Sequence, residues 1–347
     1  MYCPLMFSKC FHSVTSRFIG PLKRSNFNTS LSDDSPMKIF DRTTKFYQKE
    51  RAAQDENINI YDYLKDEVGY RLCDRIFDIN RKFKTVIDLG CGRGHVSKHM
   101  DAEAVEEVFL CESSPTLLSQ AATPETAVKV TRVLVDEENL PFASNSVDLV
   151  VSSLSLSWVN NLPGTFCQII DCLKNDGVFI AAFFGGDTLY ELRSSLQLAD
   201  LERNGGVSPH ISPFVKVQDI GSLLNRAGFT MLTIDTDEIV VGYPSMFELM
   251  QDLKGMGESN AARRRNLHLS RNTMLAAASI YETLYGNEGK IQATFQLIFL
   301  IGWKPDASQP KPLQRGSYEF SLKDLHKIDE IAHRKGIVKD SLDKKLP

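Results

Sequence analysis

Asp88-Leu-Gly-Cys-Gly-Arg-Gly94 is the stretch of sequence that decides the fold of this chain. It runs straight on from Thr85-Val-Ile87, a short apolar segment that predicts a β-strand. Glycine lacks a Cβ atom and adopts positive φ readily, so the backbone at Gly90 and Gly92 can approach a bound ligand closely. A strand that ends in such a turn predicts a ligand site at the carboxyl end of a parallel sheet.

The spacing of the glycines narrows the choice of ligand. A dinucleotide-binding loop places its third glycine three residues after the second, and here that position is His95. The third glycine falls instead at Gly94, and the acid Asp88 stands two residues before the first. A carboxylate in that place suits a ligand that carries an ammonium group better than one that carries a pyrophosphate. A strand–turn–helix corner with incidental glycines is the alternative, because a single motif can match by chance.

Short apolar segments follow the glycine loop, with helix-length stretches between most of them. This alternation predicts an α/β fold with a doubly wound, mostly parallel seven-stranded sheet of Rossmann-like type and with helical insertions. The predicted domain spans residues 45–303, with insertions at 187–213 and 244–288 and a loosely ordered tail at 304–347. The predicted strands are 85–89, 107–112, 128–135, 147–153, 178–184, 229–235 and 293–303, and the predicted helices are 58–81, a segment ending near 99, 166–173, 188–202, 219–227, 244–254, 273–285 and, in the tail, 322–331.

The composition argues against several classes of function. A formal net charge of −4 provides no basic field, so the sequence predicts no nucleic-acid partner. The seven cysteines form no CxxC pair, which indicates free thiols rather than a zinc site or a disulfide framework. The apolar run Val178–Phe184 is too short to cross a bilayer, so any membrane association is expected to be peripheral.

The first 32 residues differ from the rest of the chain. They contain four basic residues, many serines, and no acidic residue before Asp33. Such an acid-free, basic start is typical of a mitochondrial presequence, which we place at residues 1–36. A disordered N-terminus without a targeting role is the alternative.

Acidic residues follow the second and third predicted strands. Glu112 ends the second strand, where a carboxylate can accept hydrogen bonds from both hydroxyls of a ribose. Asp136 and Glu137 follow the third strand, where a side chain and a backbone N–H can bind the edge of an adenine. Each acid alone has a plainer interpretation as a solvated surface residue. Together with the glycine loop they predict an adenosine-containing ligand.

These motifs resemble those of the class I S-adenosylmethionine-dependent methyltransferases, in particular the subgroup of ubiquinone, menaquinone and biotin-pathway enzymes. The segment Leu140–Pro163 is similar to that subgroup's loop after the adenine-binding acids and its fourth strand. The resemblance covers roughly residues 45–303 by motif order. It implies S-adenosylmethionine as the cofactor. The implied cofactor-binding residues are Asp88, Gly90, Cys91, Gly92, Glu112, Asp136, Glu137 and Ser152.

A closer resemblance lies in the second half of the chain. Phe184-Gly-Gly-Asp-Thr-Leu-Tyr-Glu-Leu-Arg193, Ser208–Phe214, Met246–Met250 and Gly255–Ser259 are similar to segments of the mitochondrial complex I assembly factors of this fold, which are described as arginine hydroxylases. The resemblance implies a protein of the mitochondrial matrix, at the matrix face of the inner membrane. Its implied partners are a nascent complex I subunit, modified on an arginine, and other assembly factors. The presequence, deduced independently, agrees with this location.

The chain departs from the methyltransferase subgroup at two positions. The subgroup has histidine before the tryptophan of the loop after the fourth strand, and this chain has Ser157. A mechanism that uses that imidazole as a base is therefore in doubt. Position 161, usually aspartate in the subgroup, is Asn161.

Candidate catalytic residues come from the segment after the fifth predicted strand, because doubly wound folds bind ligands at strand ends. They are Asp187, Tyr190, Arg193 and His210. Tyr190 and Arg193 lie three residues apart, so one helical face presents both, and this helix is predicted to dock a client. The plainer interpretation is that the tyrosine packs and the arginine pairs with an acid.

The reaction type does not follow from any motif. An iron-dependent hydroxylase would show two histidines and a carboxylate, but the single His-x-Asp is His99-Met-Asp101, whose spacing on a helix separates the two side chains. No metal site is predicted. Three classes stay open: a protein-arginine hydroxylase, a methyltransferase of a protein or of a small quinone or carboxylate, and a non-catalytic S-adenosylmethionine-binding chaperone. The run Arg263-Arg-Arg265 favours a macromolecular client or is simply a solvated helix face.

Overall fold

The computed structural model describes residues 38–310. The predicted presequence at 1–36, most of the predicted tail and its helix at 322–331 lie outside the described residues. One compact unit extends to Asp306, and a second begins at Ala307.

Helices and strands alternate through the first unit. The helices are α1 Arg42–Ala53, α2 Ile58–Tyr61, α3 Tyr63–Phe77, α4 Pro115–Gln120, α5 Leu162–Cys172, α6 Tyr190–Asn204, α7 Val217–Ala227, α8 Met246–Gly255 and α9 Arg271–Tyr285. The strands are β1 Phe83–Leu89, β2 Val105–Glu112, β3 Lys129–Leu134, β4 Val147–Ser153, β5 Leu173–Phe184, β6 Thr230–Tyr243, β7 Gly286–Asn287 and β8 Lys290–Trp303.

The strands form a single sheet in the order β3-β2-β1-β4-β5-β8-β6. Strands β3, β2, β1, β4 and β5 are parallel to one another, and β8 runs antiparallel between β5 and β6. The two-residue β7 pairs with β8 beside this path of seven strands. The prediction of a doubly wound, mostly parallel sheet is confirmed. The strand order reverses between β1 and β4, so the loop after β1 lies at the crevice where such sheets bind ligands.

The central strands β1, β4 and β5 are buried on both faces, which explains why they are largely apolar, whereas the edge strands β3 and β6 are partly exposed. Val86 belongs to one core cluster with Leu72 of α3, and its neighbour Ile87 belongs to the opposite cluster with Phe166 of α5. Alternate residues of β1 thus point to opposite faces. Because other elements pack on both faces of the sheet here, the carboxyl ends of β1 and β2 are held rigidly beneath the glycine loop.

Two of the predicted helices are different in the structure. The helix predicted at 58–81 is interrupted at Asp62 and ends at Phe77. The segment after the glycine loop, predicted as a helix ending near 99, forms only a 3-10 turn at Ser97–His99. Contacts with α3 hold it in that form: a Cβ on Gly69 would lie 2.2 Å from the carbonyl oxygen of His95. His99 and Asp101 are therefore not on a regular helix.

Helix α1 was not predicted from the sequence. Its residues RTTKFYQKERAA are mostly polar and have no apolar stripe, so the periodicity that reveals other helices is absent. A local signal does exist: the Asp41 side chain accepts a hydrogen bond from the backbone N–H of Thr44 at 3.0 Å and caps the helix. The helix buries the polar side chains of Lys45 and Gln48, and its only buried apolar residues are the two alanines at its end, Ala52 and Ala53. Tertiary contacts therefore stabilise it.

The inserted helix α6 packs on α9 and β8 through Leu192 and Leu196, which are buried. Arg193 donates hydrogen bonds from Nη1 to the carbonyl oxygen of Gly186 and from Nη2 to that of Thr188, both at 3.1 Å. These bonds tie down the turn that precedes the helix. No helix within residues 38–310 has the length and apolar character needed to cross a bilayer.

Candidate functional site

The three glycines of the loop all have positive φ but serve different purposes. A Cβ on Gly90 would lie 2.0 Å from Ser155 Oγ, and one on Gly94 would lie 2.4 Å from the backbone oxygen of Ala122. Those two glycines allow close packing of the protein on itself. A Cβ on Gly92 would meet only the His95 ring, at 3.4 Å, so this glycine borders open space. Gly92 is the position where a ligand can approach the loop.

Asp88 lies directly beneath the loop and is completely buried. Among the described residues, neither carboxylate oxygen has a hydrogen-bond partner. Burial, followed by the negative charge of Glu112, raises the pKa of the Asp88 carboxyl to about 7, and the nearby backbone N–H of Ser97, whose geometry falls short of a regular hydrogen bond, opposes this shift. A buried carboxylate without a partner is costly, and a cationic ligand group would relieve that cost.

Replacing Asp88 by asparagine is expected to flatten the dependence of stability on pH. The pKa is about 7 in the folded state and near 3.8 in the unfolded state, so the wild-type protein binds an extra proton when folded and loses stability as pH rises from about 4 to about 7. The slope from one such group is at most about 1.4 kcal/mol per pH unit. Urea unfolding at pH 5, 6, 7 and 8 measures it, and an unchanged slope in Asp88→Asn would contradict this assignment.

Glu112 ends β2 and is almost completely buried. Its Oε2 accepts a hydrogen bond from the backbone N–H of Gly92 at 3.0 Å, and its Oε1 accepts from the N–H groups of Ser113 and Ser114 at 2.9 and 3.1 Å. The carboxylate therefore fixes the glycine loop in addition to facing the cavity. Sequence reasoning predicted a ligand contact here but not this structural role.

Three consecutive acids, Asp136, Glu137 and Glu138, follow β3. Glu137 is buried, and its Oε1 accepts a hydrogen bond from Ser155 Oγ at 2.7 Å. Burial alone would raise the pKa of Glu137, but the positive charges of Lys49 and Arg42 outweigh it and lower that pKa. Burial raises the pKa of Asp136, against the opposing charge of Arg42. The acids predicted to bind adenine thus contact two cations of α1.

Lys49 of α1 joins the acids of β2 and β3. Its Nζ lies 2.8 Å from Glu112 Oε1 and 3.2 Å from Glu137 Oε1. Lys49 borders two cavities. One is a small cavity of about 50 Å³ beside the glycine loop, and the other is an open cavity of about 740 Å³. Lys49, Ser155 and Trp158 line both. Sequence reasoning missed Lys49 because α1 itself was not predicted.

These residues fit S-adenosylmethionine in chemistry. The open face of Gly92 admits a ligand, and Glu112 lines the small cavity where it can accept from ribose hydroxyls. Asp88 lines neither cavity, so its carboxylate acts on an ammonium group from beneath the loop.

The volume of the small cavity does not fit this ligand. Ligand pockets measure about 300–1,000 Å³, and the small cavity of about 50 Å³ is far below that range. The small cavity must therefore widen to hold a ligand of that size, and Lys49, Ser155 and Trp158 separate it from the larger cavity.

A second buried ionic cluster borders the same cavities. Lys45 Nζ lies 2.6 Å from Glu258 Oε2 and 3.5 Å from the centre of the Trp158 ring. Burial lowers the pKa of Lys45 to about 7, although Glu258 favours the charged form. Lys65 Nζ lies 3.2 Å from Glu258 Oε1, and Trp158 Nε1 donates to Glu258 Oε2 at 2.8 Å. The cluster fixes Trp158 between the two cavities.

Two predicted cofactor residues differ in their surroundings. Cys91 lines the small cavity and is buried, which raises the pKa of its thiol. Ser152 is buried and donates a hydrogen bond to the carbonyl oxygen of Leu89 at 2.8 Å, and its neighbour Ser153 lines the cavity instead. Ser152 therefore joins β4 to β1, and its predicted cofactor contact has no support in the geometry.

The predicted catalytic candidates lie elsewhere. Tyr190, Arg193 and His210 line neither cavity. The Tyr190 ring packs edge-on to Tyr285, with 5.9 Å between ring centres, and His210 Nε2 lies 2.7 Å from Asp200 Oδ2. These contacts are structural ones, and a catalytic role for the three residues stays a prediction.

The remaining sequence candidates have local roles. Ser157 Oγ accepts a hydrogen bond from the backbone N–H of Phe184 at 3.3 Å, and Asn161 caps α5 by accepting from the N–H of Gly164 at 3.1 Å. Asp187 is exposed and accepts from Gln296 Nε2 at 3.2 Å. The run 263–265 lies in an irregular loop, not on a helix. Among residues 38–310, no group of three or more His, Cys, Asp or Glu side chains is arranged to hold a metal ion.

Comparison with known proteins identifies the family. Residues 61–234 match the family described as "Methyltransferase domain". The chain is 52% identical over 303 residues to "Arginine-hydroxylase NDUFAF5, mitochondrial" of Danio rerio, with 87% of this chain and 94% of that protein covered. It is 53% identical over 296 residues to the human protein of the same name, with 85% of each chain covered.

A more distant relative is the malonyl-[acyl-carrier protein] O-methyltransferase of Methylovorus sp., 30% identical over 273 residues, covering 76% of this chain and 90% of that protein. The predicted resemblance to methyltransferases and to arginine hydroxylases is confirmed, as is the prediction of an enzyme fold. The closer relatives are named as mitochondrial, which confirms the mitochondrial part of the predicted location. The chain belongs to the methyltransferase-domain family and, within it, to the group of mitochondrial arginine-hydroxylase NDUFAF5 proteins.

Proposed function

We propose that this chain binds S-adenosylmethionine at the carboxyl ends of β1 and β2 and modifies an arginine of a client protein by hydroxylation. Dioxygen would supply the inserted oxygen atom, and a two-electron donor would reduce the second oxygen atom to water, since the sulfonium group supplies neither. The observation that carries the cofactor proposal is the open face of Gly92 in the small cavity, next to the Glu112 carboxylate that accepts a hydrogen bond from the Gly92 N–H. The identity of more than half of the aligned residues to proteins named arginine-hydroxylases supports the reaction.

The proposed roles of the residues follow from their positions. Asp88 attracts the ammonium group of the cofactor, the backbone at Gly92 lets it approach, and Glu112 accepts from the ribose. Asp136 and the backbone of Glu137 are placed for the adenine edge. S-adenosylmethionine, when bound, supplies a sulfonium centre with an electrophilic methyl group. Trp158, which Glu258 holds in place, shields the cavity from water.

The client and location are proposed on the family resemblance. We infer that the client is a nascent complex I subunit, modified in the company of other assembly factors at the matrix face of the inner membrane. The absence of a bilayer-spanning helix within residues 38–310 is compatible with peripheral association. Carbonate extraction of mitochondria separates peripheral from integral proteins, and a chain that resists extraction would contradict this location.

Deleting the gene is expected to lower the mass of one client arginine by one oxygen atom, as measured by mass spectrometry of purified complex I subunits. A hydroxylase inserts oxygen, so the modified residue is heavier in wild-type cells. A matched control is a strain that carries the Gly205→Val variant, whose substitution lies far from both cavities. If the difference were a methylene group, the alternative function of a methyltransferase would be correct.

The third class, a non-catalytic chaperone, predicts no mass difference on any subunit. It also predicts that complex I accumulates normally with any variant that keeps the fold and loses only the cofactor. The mass comparison and the cofactor variants together separate the three classes.

A further inference from the structure

The segment Ile39–Arg42 leads into α1 and runs beside the loop at 261–263, where Phe40 forms an isolated bridge. The backbone N–H of Phe40 donates to Asn160 Oδ1 at 2.7 Å, and Asn160 Nδ2 donates to the carbonyl oxygen of Phe40 at 3.1 Å. Asp41 N–H donates to the carbonyl oxygen of Ala261 at 2.8 Å. Backbone pairing of this kind is how proteins hold extended peptides whatever their sequence.

The loop at 261–263 completes the backbone pairing. Arg263 N–H donates to the carbonyl oxygen of Ile39 at 2.9 Å, and Phe40 forms an antiparallel bridge with Ala262. Both neighbours of Phe40 in the segment are thus hydrogen-bonded to the loop, while Asn160 binds Phe40 itself. Asn160 and the loop at 261–263 thus form the two sides of a small groove that holds this segment.

The groove also has a pocket for one aromatic side chain. Phe40 is only 7% exposed and belongs to a separate small core cluster with Trp158 and Ala261. The rings of Phe40 and Trp158 meet edge-on, with 5.4 Å between their centres. Trp158 lines both cavities, so a peptide in this groove lies beside the proposed cofactor site.

Beyond Phe40, the same segment enters the proposed adenosine site. Arg42 Nη2 lies 3.0 Å from Asp136 Oδ1 and 2.5 Å from Glu137 Oε2, and Nη1 lies 3.3 Å from Glu138 Oε1. Lys49, two turns along α1, contacts Glu112 and Glu137. The two cations therefore occupy the carboxylates that the proposed cofactor requires, and cofactor and segment compete for them.

We propose that the groove formed by Trp158, Asn160 and the 261–263 loop binds an extended client segment that buries one aromatic side chain, and that Ile39–Arg42 fills it until the cofactor displaces Arg42 and Lys49. The proposal rests on the proposed function for its cofactor. Client binding then follows cofactor binding. Glu138 couples the two events, because its Oε1 accepts from the Asn160 backbone N–H at 2.8 Å and also pairs with Arg42.

A peptide that copies residues 38–44, Lys-Ile-Phe-Asp-Arg-Thr-Thr, with capped ends and a fluorescent label, is the probe. Fluorescence anisotropy with the full chain is expected to show about tenfold tighter binding at saturating S-adenosylmethionine than without it, since a ligand that favours the open form raises its population. The Phe40→Ala chain, whose own segment loses its anchor, is expected to bind the peptide without the cofactor. A peptide with alanine in place of phenylalanine is expected to bind neither chain.

The controls separate this inference from the proposed function. Phe77→Ala removes an exposed ring at the end of α3 and is expected to behave like the wild type. Asn160→Ala is expected to lose peptide binding with cofactor present, which keeps the test valid if Phe40→Ala does not fold. Equal peptide affinity with and without cofactor, in a chain that calorimetry shows to bind the cofactor, would overturn the inference alone. A chain that binds no cofactor would overturn the proposed function. Peptide binding by the Phe40→Ala chain without cofactor would then test whether the groove binds an extended segment.

Discussion

The Gly92→Val protein is expected to lose measurable affinity for S-adenosylmethionine while it keeps its fold. Gly92 has φ of +55°, where a β-branched residue is strained, and a Cβ added there would point into the space that the cofactor needs. The expected loss is at least about 100-fold, because the added side chain excludes the ligand rather than removing one hydrogen bond of about 1.5–3 kcal/mol. Isothermal titration calorimetry on the purified protein measures it.

Gly205→Val is the matched control for that variant. Gly205 also has positive φ, at +64°, and a Cβ added there, at the end of α6, would have no heavy atom within 4 Å. Both substitutions carry a backbone strain of roughly 1–3 kcal/mol. Similar melting temperatures together with cofactor loss only in Gly92→Val would confirm the assignment. Unchanged affinity in Gly92→Val would exclude this loop as the cofactor site.

Lys49→Met is expected to destabilise the protein by about 3–5 kcal/mol, since it leaves buried carboxylates without their cation. The side chains of Glu112 and Glu137 are only 1% and 3% exposed, and Lys49 Nζ lies within 3.2 Å of both. Glu137 keeps Arg42, but Glu112 also orients the glycine loop, so its unpaired charge disturbs the site itself. Urea unfolding of the cofactor-free protein measures the change in the free energy of unfolding.

Lys65→Met provides the comparison, because the partner of Lys65, Glu258, keeps Lys45 at 2.6 Å. A smaller loss is therefore expected for Lys65→Met. The double variant Lys49→Met/Glu112→Gln is expected to recover part of the lost free energy of unfolding, because it also removes the unpaired negative charge of Glu112. Equal losses for the two lysine variants would show that the bridge between β2 and β3 is not a special contact.

The sequence predicted the sheet well, and its placement of the ligand site stays a prediction. Five of the seven predicted strands lie within a strand of the structure, and those at 128–135 and 229–235 begin one residue before β3 and β6. The central strands were found because a strand buried on both faces is apolar along most of its length. Glycines at positive φ are also evident from sequence, since few other residues tolerate that conformation. Glu112 and the acids after β3 were found because parallel strands end at a common edge of the sheet.

Other features could not be found in this way. Helix α1 buries lysine and glutamine and so has no apolar pattern, and its partners are 63 to 213 residues away in the chain. The helix predicted after the glycine loop fails because contacts with α3 outweigh local preference. The candidates Tyr190, Arg193 and His210 follow β5 in sequence and line neither cavity, and their catalytic role stays a prediction.

The sequence alone determined the class of fold, the glycine loop and the acids at the ends of β2 and β3, because each depends on contacts between near neighbours or on strand periodicity. Only the tertiary structure decided what faces those acids: Lys49 between Glu112 and Glu137, Arg42 against the acids after β3, and Phe40 in its groove. Ionic and aromatic contacts of this kind join residues about 60 to 120 positions apart, and polar side chains leave no periodic trace of their partners.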